Sequence, residues 1–242
     1  MKNLPKSISF IIPIYNEENK LKKLLREILK FKKKYKNIKS EFILVNDGSK
    51  DNTGNMLKNL FNKQKFIKIL NLKKNYGKGY ALKKGVFIAN NELIITIDAD
   101  LSVKFNQIFI WQNNYNISGG NEVYFASRNH KLSKVKFKVY RKLIGLILSV
   151  FIYLLVDKKL RDTQCGFKLY SYKIGKKIFK KLNIKGFSHD IEIIFLLKKM
   201  KVKILELPIN WTHKSGSKVN LFIEPIYFIL IIIFLKFKYS LI

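Results

Sequence analysis

The stretch LIITIDADLS, Leu93 to Ser102, runs mostly apolar and then sets Asp98 and Asp100 one residue apart. Two carboxylates that close repel unless a proton or a cation joins them, and hard oxygen ligands select Mg²⁺ or Mn²⁺, ions that usually also take diphosphate oxygens. Asp98 and Asp100 are therefore the candidate metal ligands, and a metal-bound diphosphate is their natural partner. Other polar groups also follow apolar runs: Tyr15, Asn16 and Glu17 after SISFIIPIY, and Asn46, Asp47, Gly48 and Ser49 after SEFILV. Taken singly, each has an ordinary reading as a turn former or helix cap. Their shared place at the ends of apolar runs is what points to chemistry.

The elements that must position them follow from periodicity. Residues 7–15 are β-branched and apolar, a strand that Pro13 terminates, and 17–35 carries Leu21, Leu24, Leu25, Ile28 and Leu29 at helical spacing. Residues 40–49 predict a second strand, and a helix follows with Asp51 and Thr53 near its start, where a cap is needed. Residues 66–72, 77–89 and 92–98 predict strand, helix and strand. This β-α-β-α-β-α-β alternation implies a parallel sheet covered on both faces, and such sheets bind ligands outside the carboxyl ends of their strands. GKGYALKKG lacks the spacing of a phosphate-binding P-loop, and no G-x-G-x-x-G follows the first strand, which disfavours nucleotide triphosphatases and dinucleotide oxidoreductases.

Composition bounds the rest. The chain has 242 residues with 48% hydrophobic, enough for one substantial core, and 48 Lys and Arg against 16 Asp and Glu give a formal charge of +32. That charge suggests nucleic acid, an anionic membrane surface or phosphorylated ligands. Heavy use of Lys, Asn, Ile and Phe fits an A/T-rich coding bias, and the lysines are spread over nearly every segment, so nucleic acid is disfavoured. The single cysteine, Cys165, excludes an internal disulfide or a multi-cysteine zinc site, fits a reducing compartment and reads as a packed small residue. MKNLPKSISF is too short and polar for a signal peptide, so the catalytic part is expected in the cytoplasm.

In order along the chain, IIPIYNE, LVNDGSKDNT, NYGKGYALKKG and IDADLS resemble the GT-A fold of family 2 inverting glycosyltransferases. SRN (127–129), DTQCGFKLY (162–170), GFSHDIEII (186–194) and LPINWTHKSGSKV (207–219) are similar to the later motifs of dolichyl-phosphate β-glucosyltransferases and related polyprenyl-phosphate glycosyltransferases. The resemblance implies a Rossmann-type, mostly parallel sheet flanked by helices, and a nucleotide-sugar donor held by Pro13, Tyr15, Asn16, Glu17, Asp47, Gly77, Lys78, Asp98 and Ala99. By the same likeness, Asp47 accepts N–H groups of the base, Asp98 contacts ribose or metal, and Asp100 holds the metal. Ser102 stands where some relatives carry Gln.

In an inverting transfer the acceptor oxygen attacks the anomeric carbon opposite the departing nucleoside diphosphate, and a metal offsets charge on that leaving group. A hydroxyl acceptor needs a general base. A phosphate acceptor is already anionic and needs cations instead, which makes Arg128, Lys138 and Arg141 candidates to grip it. Asp100, Arg128 and Asp190 form the expected catalytic set, with Asp190 orienting a sugar hydroxyl or His189, or serving as base if the acceptor is a hydroxyl.

Two apolar segments remain. Residues 143–156 fall short of the roughly 20 needed to span a bilayer, and read as a core helix or a helix at the membrane surface. Ile226 to Leu235 is shorter still and is bounded by Lys236, so an interfacial or re-entrant helix is expected, with lysines drawn to anionic headgroups. The expected division is a catalytic domain over 1–218 and a membrane-associated segment over 219–242. The sequence thus reads as a transferase at the cytoplasmic face of the membrane, moving a hexose from a nucleotide sugar, UDP-linked by preference, to a polyprenyl phosphate. Two rivals stay open: transfer to a saccharide hydroxyl, and an inactive basic protein of the same fold that binds a membrane surface or nucleic acid.

Overall fold

The computed structural model describes residues 5–115, 117, 120–136, 156–214 and 223–240. Lys138, Arg141 and all but the last residue of the 143–156 segment lie outside the described residues.

The expected alternation is present as β1 (Ser7–Ile14), α1 (Glu18–Lys34), β2 (Lys39–Asn46), α2 (Thr53–Phe61), β3 (Ile67–Asn71), α3 (Lys78–Ile88) and β4 (Leu93–Thr96). There follow α4 (Gln107–Asn114), β5 (Glu122–Ser127), β6 (Lys134–Lys136), β7 (Lys168–Ser171), α5 (Tyr172–Lys181), α6 (His189–Lys199), β8 (Lys203–Pro208), β9 (Asn210–Thr212) and α7 (Ile223–Ser240). The main sheet has seven strands in the order β3-β2-β1-β4-β7-β5-β8, and β6 pairs with β9 in a small second sheet. Parallel pairing joins β1 to both β2 and β4, β2 to β3, and β5 to β8.

The sheet is mostly parallel, as expected, although β7 runs antiparallel to both β4 and β5. Its short KLYS run carries no signal of direction. Pro13 does not end β1 but lies inside it, paired with Val45 of β2. Residues 11 and 13 present their backbone to the same neighbour. The ladder to β4 ends at Ile11 and Thr96, with the Ile97 N–H donating to the Ile11 carbonyl, so the N–H that Pro13 lacks has no β4 residue to meet.

Both faces of the sheet are covered, as near-continuous apolar strands require. On one face Ile8, Phe10 and Ile12 of β1 pack against Leu21, Leu24, Ile28 and Phe31 of α1 together with Leu57 of α2 and Trp111 of α4. On the other, Ile11, Ile43, Val45 and Ile94 meet Leu82 and Val86 of α3, Ile178 and Phe179 of α5, and Ile191 and Ile194 of α6. Phe228, Ile232 and Leu235 of α7 join this second cluster, and the Tyr239 ring stacks on Phe195 with centroids 5.8 Å apart. One side of the C-terminal helix is thus built into the domain.

Candidate active site at the carboxyl edge of the sheet

The parallel strands β1, β2 and β4 deliver their trailing loops to one edge, and the first two loops are knitted together. The Ser49 hydroxyl accepts the Asn16 N–H (2.9 Å), the Asn16 side chain accepts the Lys50 N–H (2.8 Å), and Thr53 Oγ1 accepts the Glu17 N–H (2.8 Å). Asn16 adopts φ +51, a left-handed conformation that Asn tolerates better than most residues. Tyr15 and Glu17 flank it half-buried, with Glu17 in an ion pair to Lys20 at 2.6 Å. Asp47 is buried, and its two oxygens accept the Tyr76 and Gly77 N–H groups at 2.9 and 2.8 Å. The sequence did not suggest what these bonds do: Asp47 anchors the loop before α3.

Gly77 in that loop has φ +102, and a Cβ there would meet the Lys185 carbonyl oxygen at 2.5 Å. Only glycine suits both demands. The two residues before Lys185 are pinned in turn by Glu192, fully buried in α6, whose Oε2 accepts the Asn183 and Ile184 N–H groups at 2.8 and 2.7 Å. Burial opposes ionisation of Glu192, yet these N–H donors and the Tyr239 hydroxyl hold its carboxyl below the ordinary range.

One residue past Gly77, Lys78 reaches Asp98 with Nζ to Oδ1 at 2.6 Å. Burial opposes the charge on Asp98, but the Lys78 ammonium, with Lys168 and Arg128 beyond it, keeps the carboxyl below its usual range. The Asp98 side chain still retains 41% of its surface, so it faces outward as well. Asp100 Oδ1 accepts the Ser102 N–H at 2.8 Å, and Leu101 between them takes φ +56. A buried Leu in the left-handed region is a strained choice, costing on the order of 1–3 kcal/mol. The strain turns the chain sharply after Asp98 and leaves two carboxylates at one bend. Ala99, expected to line the donor site, buries its methyl in the first core cluster.

Below Asp98 runs the loop 162–166. A Cβ on Gly166 would lie 2.3 Å from Asp98 Oδ2, and Thr96 Oγ1 fixes this approach by donating to the Gly166 carbonyl at 2.9 Å. Gly166→Ala is accordingly expected to push the Asp98 carboxylate off its position beside Lys78, lowering turnover about ten-fold or more, since small misplacements at a reacting centre are costly. Asp98 is the free end of a side chain, so thermal unfolding should change little. Wild-type turnover in Gly166→Ala would contradict this placement of Asp98.

Arg128 does not stand free as a phosphate clamp. Its Nε and Nη2 hold Asp162 Oδ2 and Oδ1 at 2.6 and 2.8 Å, its backbone N–H adds a third bond at 2.8 Å, and the guanidinium lies 5.8 Å from the Trp211 ring centroid. Burial works against both charges, but each partner stabilises the other: Arg128 is raised and Asp162 lowered from their ordinary values. Beside them Cys165 is buried, and desolvation pushes its thiol up to about 12, which removes it as a nucleophile.

Asp190, in the first turn of α6, is buried with Lys168, whose Nζ donates to Asp190 Oδ1 at 2.9 Å and to the Cys165 carbonyl at 2.7 Å. His189 Nδ1 lies 2.9 Å from the Gly186 carbonyl oxygen, and Nε2 faces Asp190 Oδ1 at 3.2 Å. Burial lowers the basicity of His189 although Asp190 opposes that effect.

The edge thus gathers Asp98, Asp100, Asp162 and Asp190 with Lys78, Lys168 and Arg128, drawn from β4, β5, β7, α3, α6 and their loops. Lys168 and Asp162 are the members that sequence reasoning did not single out as interacting groups. Lys168 sits in a quoted motif, but nothing in KLYS marks its ammonium as buried. Among the described residues no three His, Cys, Asp or Glu side chains converge as a metal cage. A cation at Asp98 and Asp100 must take further ligands from elsewhere, and diphosphate oxygens are the hard donors that suit it.

Comparison with known proteins agrees with this geometry. The family described as Glycosyl transferase family 2 matches residues 9–179. The chain is 32% identical to dolichyl-phosphate beta-glucosyltransferase of Dictyostelium discoideum, over 97% of this chain and 75% of the relative. It is 30% identical to the human protein of the same name, over 88% of this chain and 70% of the relative. Among solved structures, glucosyl-3-phosphoglycerate synthase from Mycobacterium tuberculosis in complex with Mn²⁺, UDP-glucose and glycerol 3-phosphate superposes with TM-score 0.67 at 13% identity, covering 96% of this chain and 80% of that one. That likeness establishes a shared GT-A-like fold. With a family match over most of its length and a carboxylate pair at the carboxyl edge of its sheet, the chain belongs to glycosyl transferase family 2.

Proposed function

We propose that the protein transfers glucose from UDP-glucose to a polyprenyl phosphate with inversion at the anomeric carbon. The observation that carries the reading is the Asp98 and Asp100 pair set among Lys78, Lys168 and Arg128 at one edge, a site for a diphosphate whose cation needs the ligand's own oxygens. Relatives named dolichyl-phosphate beta-glucosyltransferase supply the sugar and acceptor class. The donor set of hard carboxylate oxygens fits Mg²⁺ or Mn²⁺, held by Asp98 and Asp100, and such an ion offsets charge on the leaving diphosphate. Lys78 lies close enough to share that diphosphate. Tyr15, Asn16, Glu17, Asp47 and Gly77 shape the nucleotide end, Pro13 and Ala99 hold the strand and the turn beneath it, and Asp190 orients a hydroxyl of the donor sugar.

A phosphate acceptor needs no base, and the burial of Asp190 against Lys168 supports that choice over the saccharide-hydroxyl reading, in which Asp190 must be free to take a proton. Arg128 contributes positive potential and its remaining guanidinium edge to the acceptor phosphate, with Lys138 and Arg141 as further cations. The test is transfer itself. Purified protein with labelled UDP-glucose or GDP-mannose and MnCl₂ should label dolichyl phosphate in the lipid extract from UDP-glucose and leave dolichol unlabelled. Label confined to an oligosaccharide acceptor would overturn the phosphate reading.

The acceptor implies a membrane surface, and α7 is the element suited to it. No helix among the described residues is long and apolar enough to cross a membrane. While Phe228, Ile232 and Leu235 face the core, Tyr227, Leu230, Phe234 and Phe237 are exposed at a spacing of three and four residues, a second apolar stripe beside Lys236 and Lys238. The domain would lie on the cytoplasmic face through this stripe. Leu230→Glu, Phe234→Glu and Phe237→Glu together should weaken co-sedimentation with vesicles containing phosphatidylglycerol by about ten-fold or more, at about 1 kcal/mol per charge near such a surface. Unchanged co-sedimentation would move the contact elsewhere.

A further inference from the structure

Lys168 opens β7 in the middle of the sheet, opposite Thr96 of β4 and Phe125 of β5. It is 1% exposed, and its ammonium lies 4.9 Å from the Phe125 ring centroid. An apolar side chain would satisfy the packing there, as Leu169 and Tyr170 do beside it. Exchanging a buried ion pair for apolar residues of similar volume is often neutral or stabilising. Stability of the fold therefore leaves the ammonium unexplained.

What the ammonium joins is more informative. It bonds the Cys165 carbonyl at 2.7 Å and Asp190 Oδ1 at 2.9 Å. The first belongs to the loop whose Gly166 abuts Asp98 and whose Asp162 holds Arg128. The second sits in the first turn of α6, and its charge is felt by Lys78. One side chain ties the floor under Asp98 to the helix that carries Asp190.

We propose that Lys168 is a positioning residue for sugar transfer, its Nζ fixing the Asp190 carboxylate and the Cys165 carbonyl so that the Asp98 floor and the start of α6 keep one spacing. It touches no reacting atom; it acts through Asp190. The inference rests on the transferase reading, and its test uses whichever acceptor the wild-type protein glycosylates, so a wrong acceptor assignment and a wrong role for Lys168 give different results.

The experiment compares wild type, Lys168→Met, Lys168→Arg, Asp190→Asn and the double variant Lys168→Met/Asp190→Asn for kcat, donor KM and UDP affinity by calorimetry, with folding checked by circular dichroism. Lys168→Met should lose about 10- to 100-fold in kcat, as misplacement of a catalytic geometry does, while UDP affinity changes less than about three-fold. Lys168→Arg, which keeps the charge, should recover part of the loss. The double variant should turn over no more slowly than Asp190→Asn alone, because residues acting through one contact are not additive. Three results overturn the proposal: wild-type kcat in Lys168→Met, a double variant slowed by the product of the single losses, or a double variant restored toward wild type, the last marking a merely structural pair. If Lys168→Met alone does not fold, the double variant and Lys168→Arg, which leave no lone buried carboxylate, carry the decision by the same readouts: wild-type kcat in either one overturns it, and reduced kcat in both with UDP affinity kept supports it.

Discussion

Asp100→Asn is expected to lower kcat by about a thousand-fold, the upper range for removing one electrostatic stabiliser of a developing charge, while the protein stays folded. The amide oxygen of Asn can still accept the Ser102 N–H that Asp100 Oδ1 accepts at 2.8 Å, so the strained bend at Leu101 keeps its bracing. What disappears is one negative charge at a site where Asp98 is already shared with Lys78 at 2.6 Å. A dication facing one half-neutralised carboxylate is poorly held. The measurement is turnover across a MnCl₂ series together with UDP affinity with and without chelator. Loss of metal-dependent UDP binding in Asp100→Asn, with unfolding near that of wild type, is the expected pattern. Wild-type turnover in excess EDTA would remove the metal from the account.

The second large effect falls on stability. Arg128→Ala takes both guanidinium bonds from Asp162, a buried carboxylate that keeps only backbone N–H donors, and breaking such a pair costs about 3–5 kcal/mol. Arg128→Met with Asp162→Asn should recover most of that, because no charge is left alone. The sign of the pH dependence follows from the lowered pKa of Asp162: its contribution is full above its ordinary value of 3.8 and is lost as pH falls through the depressed one. Acid unfolding of Arg128→Ala should therefore be less steep in that range than wild type. Chemical denaturation at pH 7 and at pH 3 measures both. Equal stabilities of wild type and Arg128→Ala at pH 7 would show that the pair is idle. Acceptor kinetics of Arg128→Ala are interpretable only beside this measurement, whereas Arg128→Lys keeps the charge and isolates the loss of the fork.

The strands and helices up to β4 were legible because each apolar run has the period of its element and ends at a turn or cap residue. Asp98 and Asp100 were legible for the same reason, since a strand must end before them. Direction was not: β7 is four residues long, and whether it runs with or against β4 depends on the chain between β5 and β7 rather than on KLYS itself. Pro13 misled because proline is unfavourable in a central strand in general, yet harmless where the neighbouring ladder has already stopped. Pairings between charges distant in sequence, Arg128 with Asp162 and Lys168 with Asp190, leave no periodic trace and required the fold. The C-terminal helix shows both limits at once. Its apolar character was plain, but the sequence alone did not say that one stripe enters the core through Phe228, Ile232 and Leu235 and the other remains outside. The expected boundary near residue 218 thus separates a segment that supports the domain as well as one suited to a surface.

The central claim is a single displacement at the anomeric carbon of the donor by a phosphate oxygen, and the linkage in the product tests it most directly. Phosphorus and proton NMR of the lipid extracted after reaction with UDP-glucose and dolichyl phosphate should show a phosphodiester to C1 of glucose in the β configuration, opposite to the α-linked donor. An α-linked product, or glucose joined through a carbon hydroxyl with the lipid phosphate still a monoester, would contradict it.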